Sequence, residues 1–170
     1  DDNVPGIFYV VLLFMVAGMP LLLIPACCLP VNNIRRLIPL AAFPALLTSY
    51  ICPPNVVFEV PWFFMGGHMG VDATVRIFIA VSSFVWILAS LTFPSCTKSS
   101  SQNRFNGFFL GAMAGNLGLV LAQGMLGFYL FFALMSFSAY GLIIDNGSNE
   151  AKKAGSVYLA MVMIGEIAMF

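Results

Sequence analysis

MLGFYLFFALMSFSAYGLII, residues 125–144, is a run of twenty residues without a charge. Coiled as a helix it is long enough to cross a bilayer. It is not uniformly apolar. Tyr129, Ala133, Ser136 and Tyr140 follow i, i+4, i+7, i+11 spacing and share one face. That face is small and polar, and the rest is Leu, Phe and Met. Two readings fit: a helix-packing face, or a face lining a hydrated path.

The surrounding composition agrees with a membrane setting. The chain has 170 residues, 61% of them hydrophobic and 8% charged, where a soluble domain carries roughly 25% charged residues. The expected environment is therefore a lipid bilayer. Net charge is zero and no basic tract occurs, so nucleic acid is not an expected partner. Cys27, Cys28, Cys52 and Cys96 lie in or beside hydrophobic stretches without CxxC spacing, which implies no metal or redox motif. His68 stands without a ligand cluster and reads as a loop residue, with a proton-related role as the alternative.

Outward from the central run, the hydrophobic stretches predict about six spans. These are 7–30, 37–52, 73–93, 105–121, 125–144 and 154–170, the last cut off within an apolar run. The chain thus reads as the N-terminal piece of a longer protein. A signal peptide is a poor account of the first stretch, because acidic Asp1 and Asp2 lead it and it is too long. Pro20 and Pro25 predict kinks there, and Pro39 and Pro44 interrupt the second span. Residues 53–71 read as a loop, with Pro and Gly punctuation and Trp62-Phe63-Phe64 as an interfacial anchor. Residues 94–104 read as a polar linker. Gly107, Gly111 and Gly115 recur every fourth residue and clear a helix face for close approach. The turn at Ala122-Gln123-Gly124 makes the flanking spans a tight antiparallel hairpin. A polar loop is expected over 145–153.

Arg35, Arg36, Lys98, Arg104, Lys152 and Lys153 all fall after odd-numbered spans, whereas Asp1, Asp2, Glu59 and Asp72 fall on the other side. The positive-inside rule puts the basic loops in the cytoplasm and the N-terminus outside.

Charges within spans need a reason, since each costs about 2.5–3.5 kcal/mol at mid-bilayer on insertion scales. Asp72 and Arg76, four apart at the start of the third span, are expected to form a structural ion pair, with channel gating as the alternative. Glu166 is the sharper case. It lies roughly 18 Å from the basic end of its span, and Ala133 lies roughly 16 Å from the same end of the preceding one. A carboxyl at that depth is by default a functional-site candidate. It either loads and releases protons or is a neutral, hydrogen-bonded helix tie. Glu166, Tyr129, Ser136 and Tyr140 are the proton-transfer candidates. No catalytic, cofactor-binding or metal-ligating set is expected, as neither a Cys cluster nor a Rossmann glycine pattern occurs.

Phe128 through Ser136, followed by Tyr140, resembles the fifth-helix motif of the antiporter-like subunits of respiratory complex I. Those subunits form one family with subunits of multisubunit sodium/proton antiporters and of membrane-bound hydrogenases. Gly70-Val71-Asp72 resembles the family's segment before its third helix. Ala151-Lys152-Lys153-Ala154-Gly155, Tyr158-Leu159 and Gly165-Glu166 resemble the start and course of its sixth. The likeness covers about residues 70–170, and residues 1–69 agree in pattern only.

The resemblance implies an all-α, polytopic transmembrane helix bundle. It further implies proton translocation within a larger complex such as an NADH:quinone oxidoreductase or hydrogenase. The implied partners are lipid, other membrane subunits and protons, with sodium as the alternative ion; the implied location is a bacterial inner membrane. Any redox chemistry would belong to other subunits. The rival readings are a non-pumping scaffold subunit, and a sodium/proton antiporter or inorganic-carbon transporter subunit.

One departure stands out. Most of the family carries, at the position of Ala133, a Glu that the resemblance pairs with a seventh-helix Lys. A divergent branch, described as complex I subunit 5-like, is similar to this chain in joining Ala there to a Gly-Glu on the sixth helix. Glu166 is therefore expected to supply the missing carboxylate.

Overall fold

The computed structural model describes residues 3–27, 34–53, 56–60, 67–92, 102–145 and 147–169. It is dominated by helices: α1 (Asn3–Cys27), α2 (Ile34–Ala41), α3 (Phe43–Ile51), α4 (Ala73–Thr92), α5 (Gln102–Leu121), α6 (Met125–Ile144) and α7 (Asn149–Met169). A two-stranded antiparallel sheet, β1 (Val56–Val60) and β2 (Gly67–Val71), stands between α3 and α4.

Among the described residues, three windows are long and apolar enough to cross a membrane: Phe8–Pro25 in α1, all of α4, and all of α6. The expected helical membrane bundle is present, but three helices rather than six have the length and apolarity of a span among the described residues. The second span divides into α2 and α3 at Ala42, with Pro44 in the first turn of α3, where its missing N–H costs nothing. Helices α5 and α7 reach 20 and 21 residues but are less apolar.

Burial explains the case of α5. It is the central helix, against which α1, α4 and α6 pack. Leu110, Met113, Leu117 and Leu121 are fully enclosed, joined by Leu13 and Val16 of α1 and Ile79 of α4 in one core. A helix wrapped by protein needs small residues for close packing rather than a greasy circumference. By contrast α4 exposes Ile77, Phe78, Val81, Phe84, Val85, Leu88 and Leu91, the pattern of a lipid-facing helix.

The 53–71 stretch is not the simple loop expected. Val56↔Val71 through Val60↔Gly67 form a regular antiparallel ladder. The β-branched run Val56-Val57-Phe58-Glu59-Val60 favours an extended backbone, and the flanking Pro and Gly residues obscure it in sequence. The hairpin docks on the α5–α6 turn. Met69 bridges to Ala122, the Gln123 N–H donates to His68 O at 3.0 Å, and the Gln123 side chain lies over Gly70. A Cβ at position 70 would displace that amide, the end of an exposed, flexible side chain.

Helix α7 starts at Asn149, five residues before the expected 154, because Ser148 caps it. The Ser148 Oγ accepts from Ala151 N–H at 3.0 Å, and its carbonyl accepts from Lys152 N–H at 3.0 Å. Glu150 sits in the first turn, where the helix dipole favours a negative charge. The basic pair Lys152-Lys153 therefore stands on helix, not loop. Trp62-Phe63-Phe64, residues 94–101 of the polar linker, Cys28 and Cys96 lie outside the described residues.

Candidate functional site

The site is built on α6, and the helices on either side of it are fastened differently. Towards α5, contact is backbone-close. A Cβ on Gly115 would meet the Met135 backbone N at 2.6 Å, one on Gly111 would meet Ser138 Oγ at 2.5 Å, and Gly118 lies under the Phe131 ring. Gly141 of α6 returns the pattern by accommodating Phe108. Of the glycines spaced by four, Gly111 and Gly115 serve this contact, whereas Gly107 faces open space.

Polar ties reinforce the same face. The Trp86 indole donates to Asn116 Oδ1 at 3.1 Å, and Asn116 Nδ2 donates to Met135 Sδ at 3.8 Å, linking α4, α5 and α6. At the basic end Arg104 Nε meets Asp145 Oδ1 at 2.7 Å, and its Nη2 donates to Asp145 O at 3.3 Å. Nothing in the sequence pattern pointed to this pair, because its members are 41 residues apart.

Towards α7 the packing opens. Gly155 lies against Ile144 and Tyr140 at the basic end. Beyond it a cleft of about 170 Å³ runs between the helices, lined by Ser136, Phe137, Tyr158, Leu159, Val162, Met163 and Glu166. Ser136 is 5% exposed, and its Oγ has no hydrogen-bond partner among the described residues. A buried hydroxyl left unpaired costs about 1–3 kcal/mol. Glu166 is half-buried in the same wall.

Heights along the two helices follow from the Gly155 contact. Gly155 faces the turn between Tyr140 and Ile144, centred on residue 142, and counting eleven residues up each antiparallel helix from there brings Glu166 level with Phe131, roughly 3 Å in height from Ala133. Ser136 stands roughly 7 Å nearer the basic end on the same count.

The other sequence candidates are distributed around this cleft. The Tyr140 ring packs on Gly155 below it. Tyr129 lies at the opposite end of α6, lining a cleft with Ala122, Gln123 and Phe128 beside the hairpin. Ala133 is half-buried and does not line the α6–α7 cleft. Tyr158 is a lining residue absent from the sequence candidates. Its signal was available: Tyr158, Val162 and Glu166 follow i, i+4, i+8 on one face of α7.

Asp72 and Arg76 do not pair as expected. Arg76 Nε donates instead to Ser49 O at 3.0 Å, at the C-terminal end of α3. That end presents unsatisfied carbonyls and a negative dipole, which attract a guanidinium. Asp72 is exposed and its carbonyl accepts from Arg76 N–H at 3.0 Å, the position of a helix N-cap. Among the described residues no group of three or more His, Cys, Asp or Glu side chains is arranged to hold a metal ion.

No protein-family model and no curated protein matches the sequence. A solved structure does match in fold: a chain of the membrane-bound sulfane sulfur reductase, an archaeal respiratory membrane complex. The match has a TM-score of 0.76 at 17% sequence identity and covers 93% of this chain. It covers 34% of that chain, so the present sequence spans about a third of the matched length. With three membrane-length apolar helices in a fold found in a respiratory membrane complex, this chain is an integral membrane protein similar to a subunit of such a complex.

Proposed function

We propose that this chain is part of a proton-translocating, antiporter-like subunit, working beside other membrane subunits of a respiratory-type complex in the cell membrane. Glu166 is the group that takes up and releases the proton. The carrying observation is that Glu166 shares one cleft with Ser136, a buried hydroxyl lacking a partner among the described residues. The Ser136 hydroxyl can both donate and accept, as a proton relay requires. Tyr158 offers a second hydroxyl nearer the basic end of the same wall, and Tyr140 and Tyr129 stand further along α6 on either side.

The apolar Ala133 favours a second reading. An α6 with no carboxyl of its own is also what a scaffold subunit that no longer pumps would carry. Proton flux in vesicles containing the full-length protein separates the two. Under the proposal Glu166→Gln reduces flux at least a hundredfold, and adding Ala133→Glu, at nearly the same height, restores a measurable part. Flux unchanged in Glu166→Gln removes Glu166 from the path and leaves the scaffold reading.

A further inference from the structure

On the hairpin side of the bundle, α3 and α4 flank an open cleft of about 340 Å³, lined by Ser49, Tyr50, Ala73, Arg76, Ile77 and Ala80. The Arg76 guanidinium reaches in from α4. Its Nε is used on Ser49 O, and among the described residues no acceptor meets its remaining N–H groups and no carboxylate pairs with it. Arg76 lies only roughly 5 Å along α4 from Ala73, the first residue of that membrane-length helix, which is the depth of lipid headgroups. Asp72 stands one turn further out and is also unpaired. Residues four apart on a helix project from the same side.

The two charges are therefore arranged along the membrane normal, the positive deeper and the negative outside it. Below them α4 carries Ile77, Val81, Phe84, Leu88 and Leu91, all exposed. They follow i, i+4, i+7, i+11 and i+14 spacing, an apolar stripe roughly 21 Å long against a hydrocarbon core of ~30 Å. Tyr50, 88% exposed beside the cleft, has the amphipathic ring favoured at membrane interfaces.

We infer that this cleft binds one phospholipid, phosphatidylethanolamine, with its phosphate on Arg76, its ammonium at Asp72 and an acyl chain along the α4 stripe. Phosphate is an anion whose oxygens match the donor geometry of a guanidinium. The ammonium lies two carbons beyond the phosphate and further from the hydrocarbon, on the side where Asp72 stands. An anionic headgroup without the ammonium would meet the Asp72 charge as repulsion. A choline headgroup has the positive charge but no N–H to donate. The inference rests on the chain being a membrane protein and is independent of the proton reading.

The test is lipid retention by the full-length protein in detergent. Native mass spectrometry would follow phosphatidylethanolamine, phosphatidylglycerol and phosphatidylcholine of matched acyl chains, with inorganic phosphate as competitor. Phosphatidylethanolamine should be retained about tenfold over either of the others and should resist millimolar phosphate. Arg76→Gln should abolish retention, and Arg76→Lys should keep a part of it. Asp72→Asn, an exposed change that leaves the bundle intact, should remove the preference over phosphatidylglycerol while phosphate lipids still bind. Equal retention of the three lipids by the unaltered protein overturns the inference, as does displacement by free phosphate or an unaltered preference in Asp72→Asn.

Discussion

The two sides of α6 are built on opposite plans. Towards α5 glycines bring the backbones together, Met135 receives an amide, and Ser138 is pressed against Gly111. Towards α7, Gly155 meets the side chains of Ile144 and Tyr140, not backbone, and beyond it lie a cleft, a hydroxyl unpaired among the described residues, and a carboxyl. Close packing without room for water is a means of holding helices together in lipid, where apolar contact by itself gives little preference over lipid tails. A gap lined by polar groups does the reverse: it gives up packing and keeps space. The difference assigns cohesion to one face of the helix and leaves the other for chemistry.

Substitutions on the two faces should break this contrast in graded steps. The largest effect is expected from Gly115→Leu. Its Cβ would fall on the Met135 backbone, which cannot swing aside as a flexible side chain can, so about 3 kcal/mol of stability should be lost. Thermal unfolding in detergent would register this as a clear drop in midpoint, and an unchanged midpoint would mean that α5 and α6 are not held by backbone approach. Ser136→Ala, on the other face, should act in the opposite direction. Removing an unpartnered buried hydroxyl should raise stability by about 1 kcal/mol while lowering proton flux. A loss of stability would show that the hydroxyl is a packing tie. Gly165→Ala should change least, within about 0.5 kcal/mol, because a Cβ there meets nothing within 4 Å. A large loss in the same unfolding experiment would reveal a close neighbour on the open side of α7.

Legibility followed the kind of information each feature needs. The twenty uncharged residues of α6 gave its bounds directly, Met125–Ile144, since length and charge are properties of a segment alone. Hydropathy was less informative for α5, whose surroundings are protein instead of lipid. The start of α7 depended on a single hydrogen-bonded cap at Ser148, and the β-hairpin on pairing between strands separated by glycine and proline. Periodicity shows which side chains share a face, and it puts Ser136 with Tyr140. It could not say that Tyr129 sits in a separate cleft beside the hairpin.

By itself, the amino-acid sequence determined a chain made for lipid, the helix at its centre, the residues along each helical face, and one carboxyl deep in an apolar run. Those properties depend on composition and on the fixed rise and turn of a helix. Only the tertiary structure decided which face met which neighbour, that Arg76 turns to Ser49 instead of Asp72, and that Ser136 is left without a partner beside Glu166. Each of these is a competition among groups distant along the chain. Its outcome depends on how closely two backbones can approach, which no single segment specifies.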